Sequence, residues 1–165
     1  MKETRVIKES EMKETITNFL IYLSLFNGFD DYELSVVSEH MTFLELEKDE
    51  VLFKEGDKGE YVCFVVDGKM DVMKKGLKGE DVVIATLAKG RSIGEMSVID
   101  DTPRSATARA ATKTTLAKLT VGDFDLILKD FPKIGIKILK GITRLLSRNL
   151  RKTSSQLVEQ MLPII

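Results

Sequence analysis

Residues 93–108 read Ile-Gly-Glu-Met-Ser-Val-Ile-Asp-Asp-Thr-Pro-Arg-Ser-Ala-Thr-Ala. A glycine, a glutamate and an arginine followed by small residues stand here between two apolar, strand-like segments. Gly94 lets a backbone approach a ligand closely or take a positive φ. Glu95 offers a charged acceptor to hydroxyl donors. Arg104 offers a planar fork of donors matched to phosphate oxygens. Ser105 and Ala106 are small enough to expose their own N–H groups to an anion. The stretch therefore describes a pocket for a molecule carrying both a hydroxyl and a phosphate.

Outward from this stretch the hydrophobic period is two. Strands are expected from Phe43 to Leu46, at Val51–Phe53, from Tyr61 to Val66, from Lys69 to Lys74 with Met70 and Val72 on one face, and from Val82 to Leu87. Two more are expected at Thr107–Ala111 and Thr115–Leu119. Turn signals separate them, among them Gly56-Asp57-Lys58-Gly59, Asp67-Gly68, the longer loop Gly76–Gly79 and Lys89-Gly90. At least seven short strands at this spacing indicate a sandwich, barrel or jelly roll.

Helical spacing frames the strands on both sides. Ile16, Phe19, Leu20, Leu23 and Phe26 predict a helix over 9–27, with Ser10 as its N-cap signal and Asn27-Gly28 as its stop. A shorter helix runs over 31–41 with Leu34, Val37 and His40 inward. After the roll, Thr120 to Asp123 can cap a helix over Phe124–Leu128. Phe131-Pro132 then opens a final helix of about 30 residues, about 45 Å long at ~1.5 Å per residue. One of its faces, Ile134, Ile138, Ile142 and Leu145, suits packing on the roll. A neighbouring stripe, Ile136, Leu139, Thr143, Leu146, Leu150, Thr153 and Leu157, approximates a heptad seam and is expected to form a homodimer. The fold class is thus α+β. A β sandwich, barrel or jelly roll is flanked by N-terminal helices and a long C-terminal helix. A single domain covers 1–165, with helices over 9–41, the roll over 42–120 and C-terminal helices over 121–162.

Composition narrows the function. The net charge is −1, from 25 basic and 26 acidic residues, so no overall field favours nucleic acid or an anionic membrane. Arg144, Arg148, Arg151 and Lys152 form a local basic run, read as solvated helix surface. With one histidine the chain lacks the ligand set that a catalytic zinc or iron site needs, so neither a metal nor catalysis is expected. His40 reads as a partly buried helix-end residue and Cys63 as a core thiol. The lone cysteine, the absence of a secretory signal at the start and the absence of a membrane-length apolar run lead us to expect a cytoplasmic protein.

Gly94-Glu95-Met96-Ser97 followed by Pro103-Arg104-Ser105-Ala106-Thr107 resembles the phosphate-binding cassette of the cyclic nucleotide-binding domain family. That family includes the catabolite activator protein and the regulatory subunits of cyclic AMP-dependent protein kinase. The resemblance covers residues 10–160, with Ile93 where many members carry phenylalanine, and it implies that the strands form a β jelly roll (double-stranded β-helix). It implies that Glu95 takes the ribose 2′-hydroxyl and that Arg104 takes the cyclic phosphate. Ser105 would bond the phosphate through hydroxyl and backbone beside the Ala106 amide. The segment Gly94, Glu95, Met96, Ser97 would form a short helix that presents its N-terminus. By family position Ile84 and Leu87 would line the base pocket, with Phe53 secondary. Thr153 or Asn149 on the final helix would cap the base. Ser105, rather than threonine, after the arginine favours cyclic AMP over cyclic GMP. The resemblance implies a ligand and no cofactor, and a sensor that moves its C-terminal helices toward an unnamed effector protein. The competing expectations are a β-roll scaffold for protein interaction that binds no nucleotide and, for Glu95 and Arg104, a mere internal ion pair.

Overall fold

The computed structural model describes residues 9–162. Helix α1 spans Glu9–Leu20, a 3-10 turn spans Ser24–Phe26, and helix α2 spans Asp31–Glu39. Eight strands follow: β1 Thr42–Leu46, β2 Val51–Phe53, β3 Tyr61–Asp67, β4 Met70–Lys75, β5 Asp81–Leu87, β6 Ser92–Ile93, β7 Thr107–Ala110 and β8 Thr114–Thr120. Helix α3, Glu95–Asp100, lies between β6 and β7. Helices α4, Val121–Asp130, and α5, Pro132–Met161, close the chain.

The strands form two antiparallel four-stranded sheets, ordered β1-β8-β3-β6 and β2-β7-β4-β5. Together they make the expected β-roll. Its interior holds Leu46, Cys63, Val65, Ile93 and Leu116 from the first sheet against Phe53, Met70, Ala108 and Ala110 from the second. The alternate residues of β3 and β8, Val62, Phe64, Ala117 and Leu119, face the opposite way. They meet Leu20, Leu25, Phe26, Phe124, Ile134, Ile138 and Ile142 of the helices. Strand β3 is therefore buried on both faces, which is why Tyr61–Val66 reads as an unbroken apolar run.

The helix expected over 9–27 is interrupted. Helix α1 ends at Leu20, Ile21 and Tyr22 turn outward, and the 3-10 turn buries Leu25 and Phe26 together. A continuous helix would have set those two residues on different sides. The Ser10 side chain lies outside the described residues. Helix α2 carries a capping box: Asp30 accepts from the Glu33 N–H, and Glu33 accepts from the Asp30 N–H. His40 ends α2, half-buried, with Nδ1 2.7 Å from the Val36 carbonyl. Helix α4 starts on Thr120, whose side chain accepts from the Asp123 N–H, earlier than expected.

Helix α5 is 30 residues long. Ile134, Ile138 and Ile142 are buried on the body, and Leu139 and Leu146 of the second stripe are partly engaged with it. From Leu150 onward every described residue is exposed, Leu150 to 68%. No helix among the described residues is long and apolar enough to cross a membrane.

Candidate functional site

The loop after β6 is built around Gly94, which adopts φ 85° and precedes α3. A Cβ at this position would sit 3.0 Å from Arg104 Cζ, closer still to Nη1, and 3.3 Å from the Tyr61 carbonyl. Only glycine satisfies both the backbone sign and the contact. Helix α3 then runs Glu95–Asp100, longer than the four-residue segment expected, and ends on Asp101 at φ 58°.

Arg104 is held at both its main-chain groups by the turn between β2 and β3. Its N–H donates to the Asp57 carbonyl at 2.7 Å, and its carbonyl accepts from the Gly56 N–H at 2.8 Å. The side chain is buried, with 3% exposure. Nη1 donates to the Gly94 carbonyl at 3.0 Å and Nη2 to the Tyr61 carbonyl at 2.6 Å. Among the described residues Arg104 enters no ion pair, with Glu95 or any other carboxylate. This removes the internal ion-pair reading. Its Nε is buried without a partner. Burial presses on the charged guanidinium and lowers its pKa. A guanidinium stays protonated regardless, so the site holds a buried positive charge with unspent donors.

Glu95 and Arg104 line one cleft of about 570 Å³, its open mouth included. Burial raises the pKa of Glu95, while its own N–H, the Ser92 hydroxyl, Arg91 and Arg104 pull it partly back. Gly94, Met96, Ser97, Ser105 and Ala106 also line the cleft, as does Leu87. Ser97 is buried against Gly59, whose missing Cβ leaves room for its hydroxyl, 2.5 Å from where that Cβ would be. Cys63, beneath this region, has its thiol pushed up to about 12 by burial. It is an inert core thiol.

Three residues expected to contact the ligand do not line the cleft within this chain. Ile84 is 56% exposed and does not line the cleft. The register steps from Val72↔Ala85 to Met73↔Val83, leaving Ile84 as an unpaired bulge on an edge strand. Asn149 is half-buried and Thr153 exposed on α5, and neither reaches the cleft. The structure instead adds Val72, Ala108 and Ser92 to the lining and promotes Phe53 to it. Val72 is paired in register with Ala108, and Ala108 with Phe53, so strand alternation could have found them. Ser92 lies in a two-residue strand with no periodic signal.

Comparisons with known proteins agree with this fold. The family model "Cyclic nucleotide-binding domain" matches residues 43–131. A cyclic nucleotide-binding domain from Methylobacillus flagellatus superimposes with TM-score 0.81 at 29% identity, covering 94% of this chain and 88% of that one. The catabolite activator protein of Thermus thermophilus gives TM-score 0.73 at 27% identity, over 83% of this chain and 62% of that one. The cGMP-dependent protein kinase of Plasmodium berghei is 32% identical over 118 residues, which is 72% of this chain and 13% of the kinase. The chain spans between 7% and 60% of the length of such curated relatives. With its β-roll, its buried arginine and a family match over more than half its length, the chain belongs to the cyclic nucleotide-binding domain family.

Proposed function

We propose that this chain is a cyclic AMP sensor, dimeric through α5, that transmits occupancy by moving α4 and α5 toward an effector protein and performs no catalysis itself. The observation that carries the reading is Arg104. A buried guanidinium with no carboxylate partner and an unspent Nε, beside Ser105 and Ala106, is a site awaiting one negative charge. A cyclic phosphate carries one. Glu95 on the same cleft would repel a bare anion, and it fits when a ribose hydroxyl stands between them. Ser105 supports adenine over guanine by resemblance.

The dimer reading rests on the distribution of charge along α5. The helix carries seven basic residues and one acidic, Glu159. Around a seam of Leu146, Leu150, Thr153 and Leu157 the flanking positions are Ser147, Asn149, Ser154 and Gln156. Arg144, Arg148 and Arg151 fall on the back of the helix. Two copies can pair in parallel without apposing like charges. Signalling then requires only that ligand bind one arrangement of α4 and α5 better than the other.

Titration calorimetry with cyclic AMP and cyclic GMP tests the proposal. Cyclic AMP should bind more tightly, and Arg104→Ala should weaken binding by about 2–4 kcal/mol, the scale of losing a charged hydrogen-bond partner. Unchanged affinity in the variant refutes the site. No binding of either nucleotide would leave the β-roll as a scaffold.

A further inference from the structure

Arg104 is a buried cation, and beside its two carbonyl bonds it meets two aromatic rings. Its Cζ lies 4.0 Å from the centroid of the Phe53 ring and 4.8 Å from that of Tyr61. The two rings come from opposite sheets and meet edge to face, 6.3 Å apart at 64°. From these separations the rings subtend roughly a right angle at Cζ, so the guanidinium sits in an aromatic corner. The Tyr61 hydroxyl donates to the Leu52 carbonyl at 3.2 Å, which ties the tyrosine ring back to β2 beside Phe53.

We infer that Phe53 and Tyr61 are positioning residues that hold the Arg104 guanidinium in place at the cleft, standing where a carboxylate would otherwise pair with it. A carboxylate would neutralise the guanidinium and occupy the same in-plane donors that an anionic ligand needs. A ring face attracts the cation through its quadrupole and accepts none of those donors. Of the five N–H donors of an arginine, two are committed to the Gly94 and Tyr61 carbonyls, leaving three, Nε among them. The corner thus preorganises a charge that no carboxylate among the described residues pairs with directly. Phe53 is the cleaner residue to test, because the Tyr61 ring also carries the Lys118 ammonium, 5.2 Å from its centroid.

The inference rests on Arg104 receiving the cyclic phosphate. Its test is site-specific replacement of Phe53 in the full chain by mono-, di- and trifluorinated phenylalanine. This weakens the ring quadrupole at nearly constant shape. Calorimetry with cyclic AMP and with cyclic GMP should show affinity falling stepwise with fluorination, reaching about 3- to 10-fold at the trifluoro residue. The loss should be equal for both nucleotides, since it acts through the phosphate. Phe53→Leu should fall below the whole series. A flat series, a rising one, or a loss confined to one base overturns the inference while Arg104→Ala still weakens binding, because Phe53 would then be packing or stacking only. Wild-type affinity in Arg104→Ala overturns the underlying reading and this inference with it.

Discussion

Replacing Gly94 by alanine should disable the site by displacing Arg104 while leaving the arginine itself in the chain. Two penalties arise together. The residue holds φ 85°, where an L-residue pays about 1–2 kcal/mol. The new Cβ would also lie 3.0 Å from Arg104 Cζ and closer to Nη1, so the guanidinium must leave the Gly94 and Tyr61 carbonyls. Two charge-assisted bonds are exchanged for water at the cleft, a further loss of about 1–3 kcal/mol. For a chain of this size the sum of about 2–5 kcal/mol lowers Tm by roughly 5–15 °C. Cyclic nucleotide affinity should drop nearly as far as in Arg104→Ala, because the displaced arginine no longer meets the phosphate. The double variant isolates the cause. With Arg104 truncated only the backbone penalty remains, so positions 94 and 104 should couple by about 1–3 kcal/mol in stability. Melting curves and calorimetry on the four proteins measure this. An additive cycle, or wild-type affinity in Gly94→Ala, refutes the argument that this glycine exists to seat that arginine.

Glu95 sets a pH dependence. Burial raises its pKa in the free protein, and ribose hydroxyl donors favour its ionised form, so affinity should fall as pH drops through the window just above the ordinary glutamate value of about 4.3. For the unliganded fold the sign reverses. A raised folded pKa contributes stability below the unfolded value that is lost as pH rises through the folded one. Glu95→Gln should therefore flatten the pH profile of binding, weaken cyclic AMP, and leave the unliganded protein more stable at neutral pH; a retained pH profile would exonerate Glu95. Gly141→Ala places a Cβ 2.5 Å from the Leu25 carbonyl, a backbone atom that cannot step aside. It should push α5 off the 3-10 turn and cost about 1–3 kcal/mol in thermal melts; an unchanged melt would show the seat to be loose. Leu150→Glu should convert a dimer to a monomer in light scattering, and a variant that stays dimeric removes the seam from α5.

What the amino-acid sequence made legible follows from how local each signal is. The β3 apolar run, the Thr120 cap and the 30-residue helix are written in neighbouring residues, and each stands where its pattern put it. Glu95 and Arg104 were legible as chemistry, and the fold brings both to one cleft. The break in α1 was not legible, because it answers a tertiary demand, the joint burial of Leu25 and Phe26. Ile84 was misplaced for a related reason. A single bulge reverses the facing of every later residue on a strand, and nothing in Val82–Leu87 announces it. The aromatic corner around Arg104 joins residues 53, 61 and 104 across two sheets, so no spacing rule could assemble it.

The cassette has one further property. Both ends of α3 rest on left-handed residues, Gly94 and Asp101. Beyond them, Ile93 is paired with Cys63 and Arg104 is anchored at N–H and carbonyl by Gly56 and Asp57. The fixed points therefore lie outside the helix, one on β3 and one on the turn between β2 and β3, so the cassette is a bridge seated at both feet whose span is set by the strands that carry it.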